Sequence, residues 1–555
     1  MKRDTRKKFD EENRDAEIST PGRNSRRMSK YVPIVTKTKR SCGSVRGESN
    51  DSNWFKDSRG VVESAARIAT YMPLGIGTED LVSNSDDKAG IPTTFICEWL
   101  PTPALSESNT SGVSIAANVL FQQIRKVLNK PISDYSFADP IIAYTSFLSI
   151  MTLVEEIKRD YGIVNSYNTL NLGYPNLILQ GLGYNPLSIV DLKNNMANYR
   201  NRFNTIMYEL STVYMPLETN IGEKYKWMAR HIWVDHDSTK AQIYGYSMAG
   251  YYSWDETTSD QGSMAKFHFW NHHMKYEDNQ LFKSKLDLLQ TLIKQIRNSD
   301  SYNYLMSDMQ RAFGDAASYT WESLEEDYTV VPSINDVMLN QFQNILTIPS
   351  IDIDDHNAAE FDITQDVTFN TILCKPDKLS VVNGANVQKV LEYVENVHDV
   401  KGIPANFVGT SPSEDDVIEI LQTKVYSRFD KDANTIELHE DSFSCEIPMQ
   451  FVCVIPLGTD TDSAEHVYYN TYNTISTNDE GNVLNVIGNM WMTSAFDWMP
   501  MMYWLTITGA EFITRPFVEA DNLVRVPLDT FKLINKAEQL ALWRVPEDVI
   551  EGIVR

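Results

Sequence analysis

A serine near the middle of the chain carries the clearest catalytic pattern. Gly245–Ala249 (GYSMA) follows the strand-like residues Ala241–Tyr244 and has the form of a nucleophile elbow, in which a serine stands on a tight turn between a strand and a helix. Such a serine attacks ester or amide carbonyls. The surroundings fit poorly, because residues 250–254 read as further strand and no glycine-rich oxyanion motif precedes Ser247. A serine hydrolase that uses Ser247 remains an alternative.

An acidic segment near residue 430 has the spacing of a calcium loop. Asp430, Asp432, Asn434 and Asp441 stand at positions 1, 3, 5 and 12, where oxygen ligands would surround a hard cation. Thr435 stands where that loop requires glycine. A polar turn between two strands accounts for the same residues.

Clustered histidines form a second candidate for metal binding. His268, His272 and His273 lie in the segment HFWNHH, and Glu277 or Asp278 follows as a potential third ligand. Histidines without a clear third ligand are more often surface or packing residues. Another acidic cluster over residues 352–356 reads as a solvated loop. We predict no metal and no cofactor.

Common motifs for binding small substrates are missing from the sequence. It contains no phosphate-binding loop, no dinucleotide-binding glycine motif after a strand, no HExxH, no CxxC pair and no GDD tripeptide. This uniform absence favours a protein without a small-molecule substrate.

The first 46 residues are the most basic part of the chain. They hold 14 Lys and Arg against 6 Asp and Glu, a net charge of +8, whereas residues 47–555 have a net charge of −33. Because few apolar residues separate these charges, we expect residues 1–55 to form a disordered arm. Such an arm neutralises phosphates without reading sequence. The predicted RNA-binding residues are Lys2, Arg3, Arg6, Lys7, Lys8, Arg23, Arg26, Arg27, Lys30, Lys37, Lys39 and Arg40. The alternatives are a solvated tail and a targeting peptide, and the acidic residues near the start disfavour a mitochondrial presequence.

The rest of the composition is that of a folded protein. The chain has 555 residues and a mass of 63.4 kDa, is 42% hydrophobic and has a mean hydropathy of −0.34. These values exclude collagen-like, wholly disordered and multi-span membrane classes. The five cysteines are scattered, which favours a reducing compartment without a disulfide framework. No apolar run of 18 residues occurs, and we expect a soluble intracellular product.

Helical spacing dominates the first half of the body. Helices are predicted over Val113–Leu128 and Asp139–Arg159, with Gly162 after the end of the second. Residues 165–186 contain several Gly and Pro residues and read as a loop. A long helix follows, capped by Ser188 and ending before Pro216.

Two apolar stripes have the spacing of packed helices. Their steps of three and four residues predict two long helices that pack against each other within the chain, with an intersubunit coiled coil as the alternative. The stripes are Leu192, Met196, Tyr199, Phe203, Ile206, Leu210 and Val213, and then Phe282, Leu286, Leu289, Ile293 and Ile296.

Strand-like segments lie between and after these helices. Lys224–Asp235 and Lys240–Trp254 are rich in aromatic and β-branched residues and predict a hairpin. The second half reads as α+β. Its predicted elements are helices over Ser333–Ile348, Asn386–Asn396 and Ser413–Thr423 and strands over Val367–Leu373 and Gln450–Ile455.

A segment near the C-terminal end is unusually rich in Met and Trp. Met490–Leu505 holds five Met and three Trp residues, interrupted by Asp497 and Pro500. Trp is common at interfaces, and Met adapts to irregular partners. We interpret the segment as core, with a subunit contact and a membrane-perturbing surface as the second and third interpretations.

Taken together, these features resemble a capsid protein of a small RNA virus, and within that class the picobirnavirus capsid protein. The stretch Tyr225–Trp254 (YKWMARHIWVDHDSTKAQIYGYSMAGYYSW), after the long helix that ends in STVYMP, carries most of the resemblance, which extends over about the middle half of the chain. The resemblance implies a double-stranded RNA virus whose capsid protein forms symmetric dimers that assemble into an icosahedral shell. It also implies a shell domain, a protruding domain, an inward-facing basic arm that is trimmed by proteolysis, and transient contact with a host membrane.

We therefore expect a helix-rich α+β capsid subunit in three parts. Residues 1–55 are the RNA-binding arm, residues 56–350 a shell-type domain with a hairpin near 224–254, and residues 351–555 a mixed region that protrudes and returns to the shell. The expected location is the virion, assembled in the host cytoplasm. Besides the hydrolase, the alternative is a non-viral RNA-binding scaffold whose body stays a monomer or small oligomer.

Overall fold

The computed structural model describes most of the chain after the basic arm. The described residues are 59–67, 92–129, 135–166, 173–215, 219–238, 241–256, 262–315, 319, 321–349, 358–376, 379–381, 385–407, 413–456, 464–476, 494, 496–508, 511–517 and 523–554. Over these residues the fold is α+β and rich in helix, as predicted.

Helices and short strands alternate along the chain. The helices are α1 Arg59–Arg67, α2 Gly112–Leu128, α3 Asp139–Val164, α4 Tyr174–Gly181, α5 Pro186–Leu210, α6 Asn220–Arg230, α7 His272–Tyr276, α8 Leu281–Arg297, α9 Asp300–Phe313, α10 Asp336–Asn344, α11 Ala385–Lys401, α12 Glu414–Leu421, α13 Leu528–Leu542 and α14 Glu547–Val554. The strands are β1 Thr94–Pro101, β2 Trp233–Val234, β3 Ile243–Met248, β4 Gly250–Asp255, β5 Met264–Phe269, β6 Thr364–Asp366, β7 Thr371–Leu373, β8 Leu379–Ser380, β9 Ile403–Asn406, β10 Arg428–Asp430, β11 Thr435–Glu437, β12 Glu446–Pro456, β13 Ala464–Tyr469, β14 Tyr472–Ser476, β15 Met502–Thr508, β16 Glu511–Phe517 and β17 Leu523–Val526.

The largest sheet joins distant parts of the chain. Its strand order is β13-β12-β1-β3-β2, with β1 parallel to β3 and antiparallel to β12. Every residue of β1 is buried, as expected for a strand covered on both faces, and all of them except Thr94 and Glu98 are apolar. Because β12 pairs with β1 across 350 residues of sequence, the second half of the chain completes a sheet that begins in the first half.

Helix α3 lies at the centre of the main core. Its residues from Asp139 to Ile163 are all buried, and it contacts α6, β4 and α8. Among the described residues it is the one helix long and apolar enough to cross a bilayer, and its whole apolar stretch is buried inside the protein. A long apolar stretch that is buried on every side is typical of a protein interior.

The two apolar stripes pack against each other within the chain. Phe203 and Ile206 of α5 are buried, as are Phe282 and Leu286 of α8. The ring centroids of Tyr199 and Phe282 lie 5.3 Å apart. The interpretation as intramolecular packing is therefore the one that the fold supports.

Several predicted boundaries are corrected by tertiary contacts. Helix α3 continues through Gly162 to Val164. A Cβ at position 162 would lie 2.7 Å from Val330 Cγ2, so glycine allows the segment around Val330 to pack closely against the helix. Residues 174–181, predicted as loop, are helical. The cap of α5 is Asn185, whose side chain accepts a hydrogen bond from the Ser188 backbone N–H; Ser188 itself lies inside the helix.

The predicted hairpin is much shorter than expected. Residues 220–230 form helix α6, and only Trp233–Val234 pairs with β3, while β4 pairs with β5 in a separate sheet. The buried residues Ile221, Tyr225 and Met228 follow helical spacing, which outweighs the aromatic content of the segment.

The remaining predicted elements occupy nearly the expected positions. Helix α10 is shorter than its prediction, α11 is longer, and α12 begins after Ser413, which forms a capping box with Asp416. Strand β12 contains the predicted strand over Gln450–Ile455. In the predicted strand Val367–Leu373, only Thr371–Leu373 is extended in a sheet, since residues 367–370 form the preceding turn.

Candidate functional site

Ser247 lies inside a strand and not on a turn. It is the fifth residue of β3, pairs with Glu98 of β1, and is followed by β4 with only Ala249 between the two strands. Its side chain is about 1% exposed. A nucleophile elbow requires a helix after the serine and an open approach to its hydroxyl, and neither is present here.

The Ser247 hydroxyl is bound to a buried lysine. Lys275 Nζ, on helix α7, donates to Ser247 Oγ at 2.9 Å and also to the Met248 carbonyl oxygen. Burial lowers the Lys275 pKa to about 8, although Glu156 opposes this shift. Serine beside lysine is a nucleophile and base pair in some hydrolases. Because Lys275 is fully buried as well, no peptide or ester can reach this pair, and its role is structural.

Lys275 belongs to a buried charge network, defined here as Glu98, Glu156, Arg159, Asp160, Lys275 and Lys285. Lys285 Nζ lies 2.6 Å from Asp160 Oδ2 and 3.4 Å from Glu156 Oε2. Arg159 donates to the Tyr246 carbonyl oxygen at 2.7 Å, and Glu156 accepts from the Met248 backbone N–H at 2.9 Å. Three carboxyl groups thus face three basic groups, all of them fully buried.

Within the network, the pKa of Glu156 is lowered and that of Glu98 is raised, because the two carboxyl groups have different neighbours. Burial alone disfavours the charge of Glu156, but Lys285, Lys275 and Arg159 outweigh burial and lower its pKa to about 2. Glu98 is farther from this concentration of cations. Burial dominates there and raises the Glu98 pKa to about 7, despite a 2.6 Å hydrogen bond from Gln450.

The network joins elements that are distant in sequence. Glu156, Arg159 and Asp160 come from α3, Lys275 from α7 and Lys285 from α8, and their partners lie on β3. Removing one member leaves its partners charged and unpaired in the interior, which is strongly destabilising. The network therefore favours one arrangement of the helices against the central sheet. Acidic and basic residues in the otherwise apolar α3 were a signal for such a network, and sequence reasoning did not use it.

The three clustered histidines serve different structural purposes. His268 contacts Ser253 Oγ at 2.9 Å, and His273 is exposed beside Glu277. His272 is fully buried between the Gln180 carbonyl oxygen at 2.8 Å and the Tyr468 hydroxyl at 2.9 Å. Burial, together with nearby His466, lowers the His272 pKa to about 3, so the ring is neutral. Within the described ranges, no three His, Cys, Asp or Glu side chains are grouped to hold a metal.

The calcium-like segment is a turn between β10 and β11. Asp430 Oδ1 accepts hydrogen bonds from the backbone N–H groups of Asp432 and Ala433, and Asn434 has a positive φ of 55°. Both features are typical of an Asx turn. The polar-turn interpretation accounts for these residues.

Four cysteines of the described chain are buried free thiols. Burial raises the pKa of Cys97, Cys374 and Cys445, which is the environment of an unreactive structural cysteine. Part of the Met- and Trp-rich segment is also described. Its residues from Phe496 to Tyr503 include the buried Trp498 and Met502, which agrees with the core interpretation for that part.

Some candidate residues lie outside the described part of the chain. These are all twelve predicted RNA-binding residues of the arm, the acidic cluster over residues 352–356 and residues 490–493 of the Met- and Trp-rich segment.

Comparison with known proteins gives consistent matches. The family model described as picobirnavirus capsid protein matches residues 54–422. A curated capsid protein precursor from human picobirnavirus (strain Human/Thailand/Hy005102/-) is 21% identical over 563 residues, which cover 96% of this chain and 98% of the relative.

A solved structure has the same fold. The X-ray crystallographic structure of the picobirnavirus capsid matches 90% of this chain and 99% of its own chain, with a TM-score of 0.72 at 19% identity. The family model spans well over half of the sequence, and the chain therefore belongs to the picobirnavirus capsid protein family.

Proposed function

We propose that this capsid protein self-assembles as dimers into an icosahedral shell that encloses double-stranded RNA, with the basic arm in contact with the RNA. The observation that carries the proposal is the position of the family match. It begins at residue 54, after the last basic residue of the arm at Arg46, and the acidic body follows. The arm is thus a cationic segment attached to a capsid body.

The charge distribution supports a division of labour between arm and body. A body with a net charge of −33 repels nucleic acid at short range, and a Debye length of about 8 Å at physiological salt limits this repulsion to the surface nearest the RNA. An arm with a net charge of +8 supplies the phosphate contacts that the body lacks.

The domain division is part of the proposal. Residues 56–350 would build the shell, and residues 351–555 would protrude and return. The pairing of β12 with β1 supports the return, since it brings residues 446–456 into the sheet of the first half. We also propose a virion location with assembly in the host cytoplasm. Trimming of the arm and transient contact with a host membrane remain proposals without an assigned residue.

The alternatives receive less support. A hydrolase would need an accessible Ser247, which is buried. A non-viral scaffold would not be expected to match capsid proteins over nearly the whole chain.

The test compares two variants of the arm, one that loses the positive charges and one that keeps them. In one variant the twelve predicted RNA-binding residues become Gln, and in the matched control each Lys becomes Arg and each Arg becomes Lys. Phosphate neutralisation depends on charge, so we expect a several-fold loss of nuclease-protected RNA per protein in the Gln variant and no loss in the control. RNA per protein is measured by absorbance at 260 and 280 nm after purification. Equal RNA content in both variants would contradict the role of the arm.

A further inference from the structure

A polar cleft of about 670 Å³ lies in the second half of the chain, far in sequence from the arm. It is bounded by the C-terminal end of α11, by residues 426–428 and by the first turn of α13. Three basic residues, Lys401, Arg428 and Lys532, line it. In a body with nearly twice as many acidic as basic residues, such a concentration of cations is unusual.

Within the described part of the chain, neither Lys401 nor Lys532 forms an ion pair. Lys532 is close enough to Asp441 to offset part of the effect of burial on the Asp441 pKa. Lys532 Nζ lies 5.2 Å from the centroid of the Tyr426 ring, a cation–π contact. The two acidic groups of the cleft are Asp399, which accepts a 2.6 Å hydrogen bond from the Tyr426 hydroxyl, and Asp529. Arg428 is half-exposed and lies 3.6 Å from Glu395.

Backbone groups add to the positive potential. The first turn of α13 opens onto the cleft, and its N-cap is Pro527, which provides no side-chain acceptor for the free N–H groups of that turn. His439 also lines the cleft.

A buried lysine lies close behind the wall of the cleft. Lys424 is two residues before Tyr426, is 2% exposed, and has no hydrogen-bond acceptor or ion pair among the described residues. Burial lowers its pKa to about 7, so a fraction of the ammonium form persists at neutral pH. The ring centroid of His398 lies 6.5 Å from that of Tyr426. Burial lowers the His398 pKa, and the nearby Lys424 and Arg525 lower it further. Two basic groups thus lie close to His398 on the interior side of the cleft, and Asp399 and Asp529 are the acidic groups of its lining.

From these contacts we propose that the cleft binds a tetrahedral oxyanion carried on a sugar, that is, a sulfated saccharide. The ammonium groups of Lys401 and Lys532, the Arg428 guanidinium and the N–H groups at the start of α13 provide hydrogen-bond donors for sulfate oxygens. Asp529 in that first turn and Glu395 beside Arg428 offset part of this positive charge. The cleft is large enough for a molecule bigger than a bare ion, and its polar lining suits the hydroxyl groups of a sugar.

Single-stranded nucleic acid is the less suitable ligand. Its non-specific binding depends on aromatic faces on which bases stack. Tyr426 is only 2% exposed, and Lys532 covers its ring. The proposal does not depend on shell assembly, because the cleft lies within one chain.

The experiment uses the full-length protein and a monosulfated disaccharide, observed by saturation-transfer difference NMR. One sulfate is too little charge for strong retention by a disordered arm, so the signal reports a shaped site. We expect the signal of the Lys401→Gln/Lys532→Gln double variant to be at least five-fold weaker than that of the parent protein. Lys536→Gln, on the same helix but paired with Asp441 outside the cleft lining, should retain it. Urea midpoints of both variants, equal to that of the parent, establish that they fold.

Four results would overturn the proposal. The first is a signal unchanged in the double variant, and the second is an equal signal from the unsulfated disaccharide. The third is loss of the disaccharide signal on addition of an equal concentration of inorganic sulfate, which would identify a bare-ion site. The fourth is tighter binding of a dinucleotide phosphodiester, which would assign the cleft to nucleic acid.

Discussion

Lys285 shows how much a single buried charge contributes to this fold. Its ammonium is fully buried against Asp160 and Glu156. Lys283, two residues earlier on the same helix, is half-exposed in its pair with Asp287. The two lysines form the same kind of ion pair in opposite surroundings, which makes them a matched comparison.

We expect Lys285→Met to lower the free energy of unfolding by roughly 3 to 5 kcal/mol, because it removes the cation 2.6 Å from Asp160 and leaves the three buried carboxyl groups of the network facing only Arg159 and Lys275. Lys283→Met should cost less than about 1 kcal/mol, since water already screens its pair. Urea denaturation followed by circular dichroism measures both. Similar losses from the two variants would mean that the buried network does not stabilise the fold as described.

Buried neutral histidines predict acid sensitivity. Burial lowers the pKa of His272 to about 3, whereas a histidine in an unfolded chain titrates near 6.5. Below pH 6.5 the unfolded chain therefore binds a proton that the folded chain does not, and stability falls as the pH falls. For one such histidine, the loss between pH 7 and pH 5 is roughly 2 kcal/mol.

The variant His272→Gln should remove that part of the pH dependence, whereas His273→Gln, next to it but exposed, should leave it unchanged. Glu98 has the opposite effect on the pH dependence of stability, because its raised pKa lets the folded chain bind a proton before the unfolded chain does. The two variants are therefore compared with each other at each pH. The measurement is the urea midpoint at pH 7 and pH 5. An identical pH dependence in both variants would argue against the buried neutral state of His272.

At the residue scale, sequence reasoning identified candidates but not their partners. Ser247 was recognisable as a serine of interest, yet its contact with Lys275 depends on packing between β3 and α7. Glu156 and Lys285 are 129 positions apart, and no local pattern predicts that they meet. Burial, which removes Ser247 from any chemistry, is likewise a property of the assembled core.

At the scale of elements, the periodic helices were the most predictable part. The apolar stripes predicted that α5 and α8 exist and that they pack against each other, because the spacing of three and four residues sets which face of a helix is buried. The segment 220–230 was harder, since its aromatic composition favours a strand while its spacing and its Thr219 cap favour a helix. The start of α5 depended on Asn185, which lies outside the periodic stretch, and α3 continues past the glycine that was expected to follow its end.

We expect Phe203→Ala to lower the free energy of unfolding by about 3 to 5 kcal/mol, because it leaves a cavity between α5 and α8. Tyr208→Ala, on the same helix with 77% of its side chain exposed, should change it by less than about 0.5 kcal/mol. Thermal unfolding of the two variants provides the comparison. If Phe203→Ala is as mild as Tyr208→Ala, the packing of these two helices is not the stabilising contact proposed.

At the scale of the whole molecule, charge and composition led to the capsid class, and the family match supports that conclusion. The order of strands in the main sheet could not be predicted, because β1 and β12 are joined across most of the body. Likewise, the polar cleft is assembled from residues 399–402, 426, 428, 439, 527–529 and 532 and has no continuous motif. The positive charge of residues 1–46 is a property of the sequence itself, and the RNA-binding role of the arm stays a prediction.

Electron microscopy of the purified full-length protein, with absorbance at 260 and 280 nm recorded on the same sample, tests the central proposal most directly. We predict uniform closed particles, with an absorbance ratio that reports enclosed RNA. A small soluble species without particles, over a range of salt and pH, would contradict self-assembly into a shell.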